Sequence, residues 1–171
     1  MLFRSLEEPT LKRAVEFAVE TEKLGALFYN KMATKMSADA EIQEVFKSLA
    51  KDEVIHEKQF TKLLASVPDE QSTSSRYKDR LAMLKLLSRS EFFMGESGFY
   101  RELEKIQTKE EALERAFNLE KDTLAYYNGL KEIIGENEIL NEIIEEEKKH
   151  FMKVGQYLIT GAKMRGLRDK F

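Results

Sequence analysis

Leu49-Ala50-Lys51-Asp52-Glu53-Val54-Ile55-His56 is the stretch on which the fold of this 171-residue chain turns. Around it Ile42, Phe46, Leu49, Phe60 and Leu63 recur at three- and four-residue steps, the mark of an amphipathic helix rather than a strand. Glu53 and His56 interrupt that stripe on its apolar side, and their i, i+3 spacing puts both side chains on one face. A second copy follows at Ile143-Ile144-Glu145-Glu146-Glu147-Lys148-Lys149-His150, on a stripe of Leu140, Ile143, Val154 and Tyr157. The two copies use both histidines of the chain. Burying unpaired charge is costly, so something must compensate it.

Two further helical stripes carry one intruding carboxylate each. Leu11, Val15, Ala18, Gly25, Tyr29, Met32 and Met36 align over residues 10–36 and are interrupted by Glu22; Leu113, Phe117, Leu124, Tyr127 and Ile134 align over 108–134 and are interrupted by Glu120. Ser37-Ala38-Asp39 offers N-cap residues for the helix over 39–66, and Thr108 with Glu111 has capping-box spacing. Gly135 is placed to end the helix over 108–134, and Gly161 the helix over 137–160. The expected fold is all-α, in a single domain over 1–171. Two antiparallel helical hairpins are joined by a long crossover, 67–107, that is partly helical at Tyr77–Ser88. The aromatic stretch Phe92–Tyr100 has no assignment, and 162–171 is expected to be a frayed basic tail.

Composition narrows the function. Lys and Arg number 28 against 31 Asp and Glu, so the net charge of −3 and pI of 5.6 give no nucleic-acid footprint. With no cysteine, the chain itself cannot form a disulfide framework, a zinc ribbon, an iron–sulfur cluster or a thiol nucleophile. No secretory leader or membrane-length apolar run is visible, so a soluble cytoplasmic protein with neither nucleic-acid nor membrane partner is expected.

The halves of the chain resemble each other. Glu22-Lys23 and Tyr29-Asn30 recur as Glu120-Lys121 and Tyr127-Asn128, and Glu53-x-x-His56 recurs as Glu147-x-x-His150. At ~1.5 Å rise per residue, Glu22 and the Glu53/His56 pair both lie roughly 22–27 Å from a turn near Ala38. The second hairpin matches more loosely, by about one helical turn. Glu22, Glu53, His56, Glu120, Glu147 and His150 can therefore meet at one level. Four carboxylates and two imidazoles are the donors of a dinuclear iron or manganese centre, and one Glu from each of two helices plus Glu-x-x-His from each of the others is its helical pattern. Two divalent cations would also neutralise the four carboxylates. Glu16, Glu20, Glu41 and Glu145 fall off the stripes and are expected to face solvent. A single Glu-x-x-His is more often a solvated pair; two copies in register are not.

At these residues the sequence resembles the rubrerythrin-type branch of the ferritin-like di-iron proteins. Its sharpest pieces are Glu22–Tyr29, Leu49–His56, Glu111–Glu120 and Ile143–His150. The resemblance implies a ferritin-like four-helix bundle binding two iron ions, or manganese, with Glu53 and Glu147 as the bridging pair. It also implies a cytoplasmic enzyme of oxidative stress that reduces peroxide or dioxygen, and a homodimer is the expected assembly. Two departures are plain. The chain has no Cys-rich electron-transfer domain, so electrons would come from a separate donor protein; and Thr123 stands where the family tends to add a further Glu.

Tyr29 and Tyr127 lie one heptad beyond Glu22 and Glu120 and are candidates to hydrogen-bond the carboxylates or a bound oxygen species; core packing is the alternative for both. Phe28, Phe46, Phe60, Phe117, Met32 and Met36 are expected in the core. Three other functions stay open at this point: iron oxidation and storage in a hollow shell, oxidation of an organic substrate beside Phe92–Tyr100, and a metal-free helical scaffold.

Overall fold

The computed structural model describes residues 10–68, 74–89 and 103–168, with side-chain surroundings up to residue 161. Helices α1 (Leu11–Lys35) and α2 (Ala40–Ser66) form the first hairpin, α3 (Ser75–Leu87) lies in the crossover, and α4 (Lys109–Ile134) and α5 (Glu138–Arg168) form the second. Among the described residues there is no strand. No helix there is long and apolar enough to cross a membrane.

Each helix starts where a short polar side chain can take up an orphan amide. Thr10 accepts from the Arg13 amide, Asp39 from Ile42 and Ser74 from Tyr77. Thr108 and Glu111 close a full capping box at α4, and Asn137 Oδ1 accepts from the Leu140 amide at 3.1 Å. Gly135 ends α4 at φ 81°, a left-handed backbone that glycine adopts without a Cβ penalty.

The stripes face inward as their spacing requires. Tyr29, Met32, Phe46, Leu49, Phe60, Tyr127 and Leu140 have 0% exposure, and α1 packs on α4 while α2 packs on α5. The crossover is pinned from both sides. Leu84 of α3 fits against Gly129 so closely that a Cβ there would come 2.9 Å from its Cδ2. The Lys35 ammonium, at the end of α1, donates to the carbonyls of Leu103, Glu104 and Ile106 at 2.8, 3.4 and 2.9 Å.

Three expectations need correction or fall elsewhere. Helix α5 does not stop at Gly161: its backbone runs helically to Arg168, so the frayed tail expected at 162–171 is helix over most of its length. Glycine ends a helix when the chain must turn left-handed, and Ala162, Lys163, Met164 and Arg165 are good helix formers with no such demand. On α4, Phe117, Leu124 and Ile134 are only half-buried, and Ala112, Ala116, Leu119, Tyr126 and Leu130 share the buried side. That face lies against several helices and is wider than a single stripe; Phe117 stacks on Phe151 at its edge, centroids 4.6 Å apart. The stretch Phe92–Tyr100 lies outside the described residues.

Candidate metal centre

All six side chains singled out in the sequence are buried at mid-bundle: Glu22 at 0% exposure, Glu53 4%, His56 2%, Glu120 1%, Glu147 0% and His150 4%. Glu53, His56, Glu147 and His150 each bring one ligand atom within 4.8 Å of the others. His56 Nδ1 lies 2.7 Å from Glu147 Oε1 and 3.6 Å from Glu22 Oε2. His150 Nδ1 lies 3.6 Å from Glu53, 3.9 Å from Glu120 and 3.7 Å from Glu147. The two imidazole rings face each other with centroids 5.5 Å apart. Glu16 and Glu20 sit half-exposed on the surface, and Glu41 and Glu145 are exposed.

The tyrosines tie the hairpins together reciprocally. Tyr29 of α1 donates to Glu120 of α4, and Tyr127 of α4 donates to Glu22 of α1. Burial first, then Glu120 and Glu22, push both phenols well above their ordinary pKa, so they remain protonated donors. Tyr126, beside them, donates instead to the Ala14 carbonyl at 2.9 Å.

The orphaned atoms test whether a cation fits. Glu22 Oε2, both Glu147 oxygens and the Nδ1 atoms of His56 and His150 are shut off from solvent without a hydrogen bond. His56 Nδ1 and Glu147 Oε1 are 2.7 Å apart and still lack hydrogen-bond geometry. Buried polar atoms are nearly always paired, so inward-facing nitrogen and oxygen lone pairs without donors fit metal ions. Without cations, protons do the compensating. Burial, then the neighbouring carboxylates, push Glu53 and Glu120 well above the carboxylate range. Burial alone would lower His56, but Glu147 and Glu22 outweigh it and raise it from 6.5 to about 10. Burial likewise opposes ionisation of Glu147, yet His150 and His56 hold it below the usual range.

Sequence reasoning missed several neighbours. Asp52 Oδ2 lies 3.3 Å from His150 Nε2, the position of a carboxylate that orients a ligating imidazole. Asp52 is half-exposed and adjacent to Glu53, so stripe analysis could not separate it from surface acid; its place one residue before Glu53 was the available signal. Gly25 is a site residue of another kind: a Cβ there would come 2.8 Å from Glu53 Oε2. Between α2 and α5 an acidic cleft of about 680 Å³, lined by Asp52, Gln59, Glu142 and Glu146 among others, reaches His56. A second hollow, lined by Asp39, Lys109 and Tyr157, holds none of the six.

A helical bundle with a buried carboxylate–histidine group at its middle defines a class, the metal-binding four-helix bundles. The profile of the ferritin-like domain matches residues 12–150, and the chain belongs to that family. Comparison with curated proteins and with solved structures gives no match.

Proposed function

We propose that the chain is a di-metal carboxylate oxidoreductase of rubrerythrin type, which reduces hydrogen peroxide or dioxygen with electrons from a separate donor protein. The observation that carries the reading is the convergence of Glu22, Glu53, His56, Glu120, Glu147 and His150 on one buried level, with lone pairs facing inward unpartnered. These six would hold two iron ions, or manganese. Two reduced ions supply two electrons together, enough to break an O–O bond without releasing a radical.

The chain's own residues do the rest. Tyr29 and Tyr127 hold Glu120 and Glu22 from the far hairpin, and the second oxygen of Glu22 is left without a hydrogen bond, free to ligate. Asp52 fixes the His150 ring through Nε2 and so turns Nδ1 inward. Phe60, packed 4.7 Å from Tyr127, and Phe46, stacked 6.0 Å from Tyr29, are fully buried and close off the level of the carboxylates from its two opposite ends. The acidic cleft at His56 is the route by which cations and small oxygen species reach the level of the ligands.

Metal analysis combined with stopped-flow kinetics tests this. Protein loaded anaerobically with Fe(II) should hold about two ions per chain, and the Glu53→Ala/His56→Ala double variant should lose them. Peroxide should oxidise the loaded protein faster than the same amount of free Fe(II). Intact protein that takes up neither iron nor manganese under reducing, metal-replete conditions would defeat the reading. A loaded particle many times the mass of the 19.9 kDa chain would favour storage instead.

A further inference from the structure

Threonines inside these helices hydrogen-bond to the carbonyl one turn back. Thr21 donates to Phe17 at 2.9 Å, Thr34 to Asn30 at 3.0 Å and Thr61 to Glu57 at 2.8 Å. Thr123, in the middle of α4, does not. It is 3% exposed, and its Oγ1 is closed off from solvent with no hydrogen-bond partner. Forgoing the local bond as well as water leaves a buried donor unsatisfied, a cost the helix could have avoided by turning the side chain.

The place of Thr123 says what the hydroxyl awaits. Glu120 lies one turn before it and Tyr127 one turn after, and both end at the metal centre. In the internal duplication Thr123 follows Glu120 as Gly25 follows Glu22. The Gly25 position lies directly on the ligand carboxylates, since a Cβ there would come 2.8 Å from Glu53 Oε2. By the duplication, the counterpart of Glu53 for Thr123 is Glu147, both of whose oxygens also lack hydrogen bonds.

We propose that Thr123 is a ligand-binding residue of the centre, whose hydroxyl donates a hydrogen bond to a small anion or water held at the exogenous position beside Glu147. Threonine suits the task because it offers a donor without adding a fifth carboxylate to the ligand set. A valine of the same shape could not donate, and a glutamate would compete as a ligand. The inference rests on the di-metal reading, so its test includes a measurement that needs no metal.

Thr123→Val and Thr123→Ser are compared with the parent protein in two assays. In the metal-free protein, replacing an unpaired buried hydroxyl by a methyl should raise the thermal midpoint, by about 2–4 °C. In the oxidised, iron-loaded protein, azide is titrated by its absorption band; Thr123→Val should weaken it about tenfold, and Thr123→Ser should restore it. A lower metal-free midpoint would show that the hydroxyl is bonded within the fold, and the proposal falls. Unchanged azide affinity in Thr123→Val, or no azide binding by the loaded parent, also overturns it. Should Thr123→Val fail to load, Thr123→Ala repeats the titration, and failure of both to load assigns Thr123 to holding the ligands instead. Metal content is measured first: a parent that takes up no metal defeats the di-metal reading and the inference with it, whereas a parent that loads tests the inference alone.

Discussion

The Tyr29 hydroxyl donates to the Glu120 carboxylate across 91 residues of chain, from the first helix of one hairpin to the first helix of the other. Both groups are buried, so removing the donor strands a carboxylate oxygen that water cannot reach. Tyr29→Phe should therefore cost about 1–3 kcal/mol of stability in the metal-free protein. Tyr127→Phe should cost a similar amount through Glu22. Chemical denaturation checks this, and equal stability of parent and variants would show that the hydroxyls only pack.

Gly25→Ala separates the fold from the site. A Cβ at this position meets the end of the Glu53 side chain rather than backbone, so the helix can accept it while the carboxylate must move. The helical circular-dichroism signal should be unchanged and iron affinity should fall, by roughly tenfold or more. Full occupancy at the parent's affinity would show that Glu53 does not need its present place.

Proton balance gives a pH dependence with a definite sign. His56, raised to about 10, and Glu53 and Glu120, raised by burial and by their neighbours, all hold more protons folded than unfolded in the absence of metal. Stability of the metal-free protein should then be greatest on the acid side of neutrality and fall as pH rises from the ordinary 6.5 of a histidine towards about 10. Glu147 works in the opposite direction, but its loss comes only in acid. Metal binding near neutral pH should release protons, measurable by calorimetry in buffers of different ionisation enthalpy. Metal uptake without proton release would contradict this balance.

Lys35→Met tests the crossover. The ammonium donates to three carbonyls ahead of α4, and charge-assisted bonds of this kind contribute more than neutral ones. Loss of about 1–3 kcal/mol is expected, with metal stoichiometry unchanged.

The bundle and the buried group were legible because period and duplication reinforced each other. Glu53 and Glu147 interrupt apolar stripes at helical phase, and each is followed at i+3 by one of the chain's two histidines. Thr108 and Glu111 announced a helix start, and the capping box is there. Asp52 was hidden because a half-exposed acid beside a stripe looks like any surface acid; only the fold brings His150 to it. The lean of α4 was hidden for a related reason, since alanines such as Ala112 and Ala116 mark a buried face without weighting a stripe. Gly161 misled because a glycine is a stop only when the chain beyond it must turn.

Four close contacts at the centre run between hairpins: Tyr29 to Glu120, Tyr127 to Glu22, His56 to Glu147 and His150 to Asp52. Contacts within a hairpin, such as His56 to Glu22 at 3.6 Å, add to them. The groups suited to chemistry thus serve also as the clasp of the bundle. Each hairpin supplies only part of the group, and because Tyr29–Glu120 and Tyr127–Glu22 join side chain directly to side chain, a chelator that strips the centre would leave the seam between hairpins bonded.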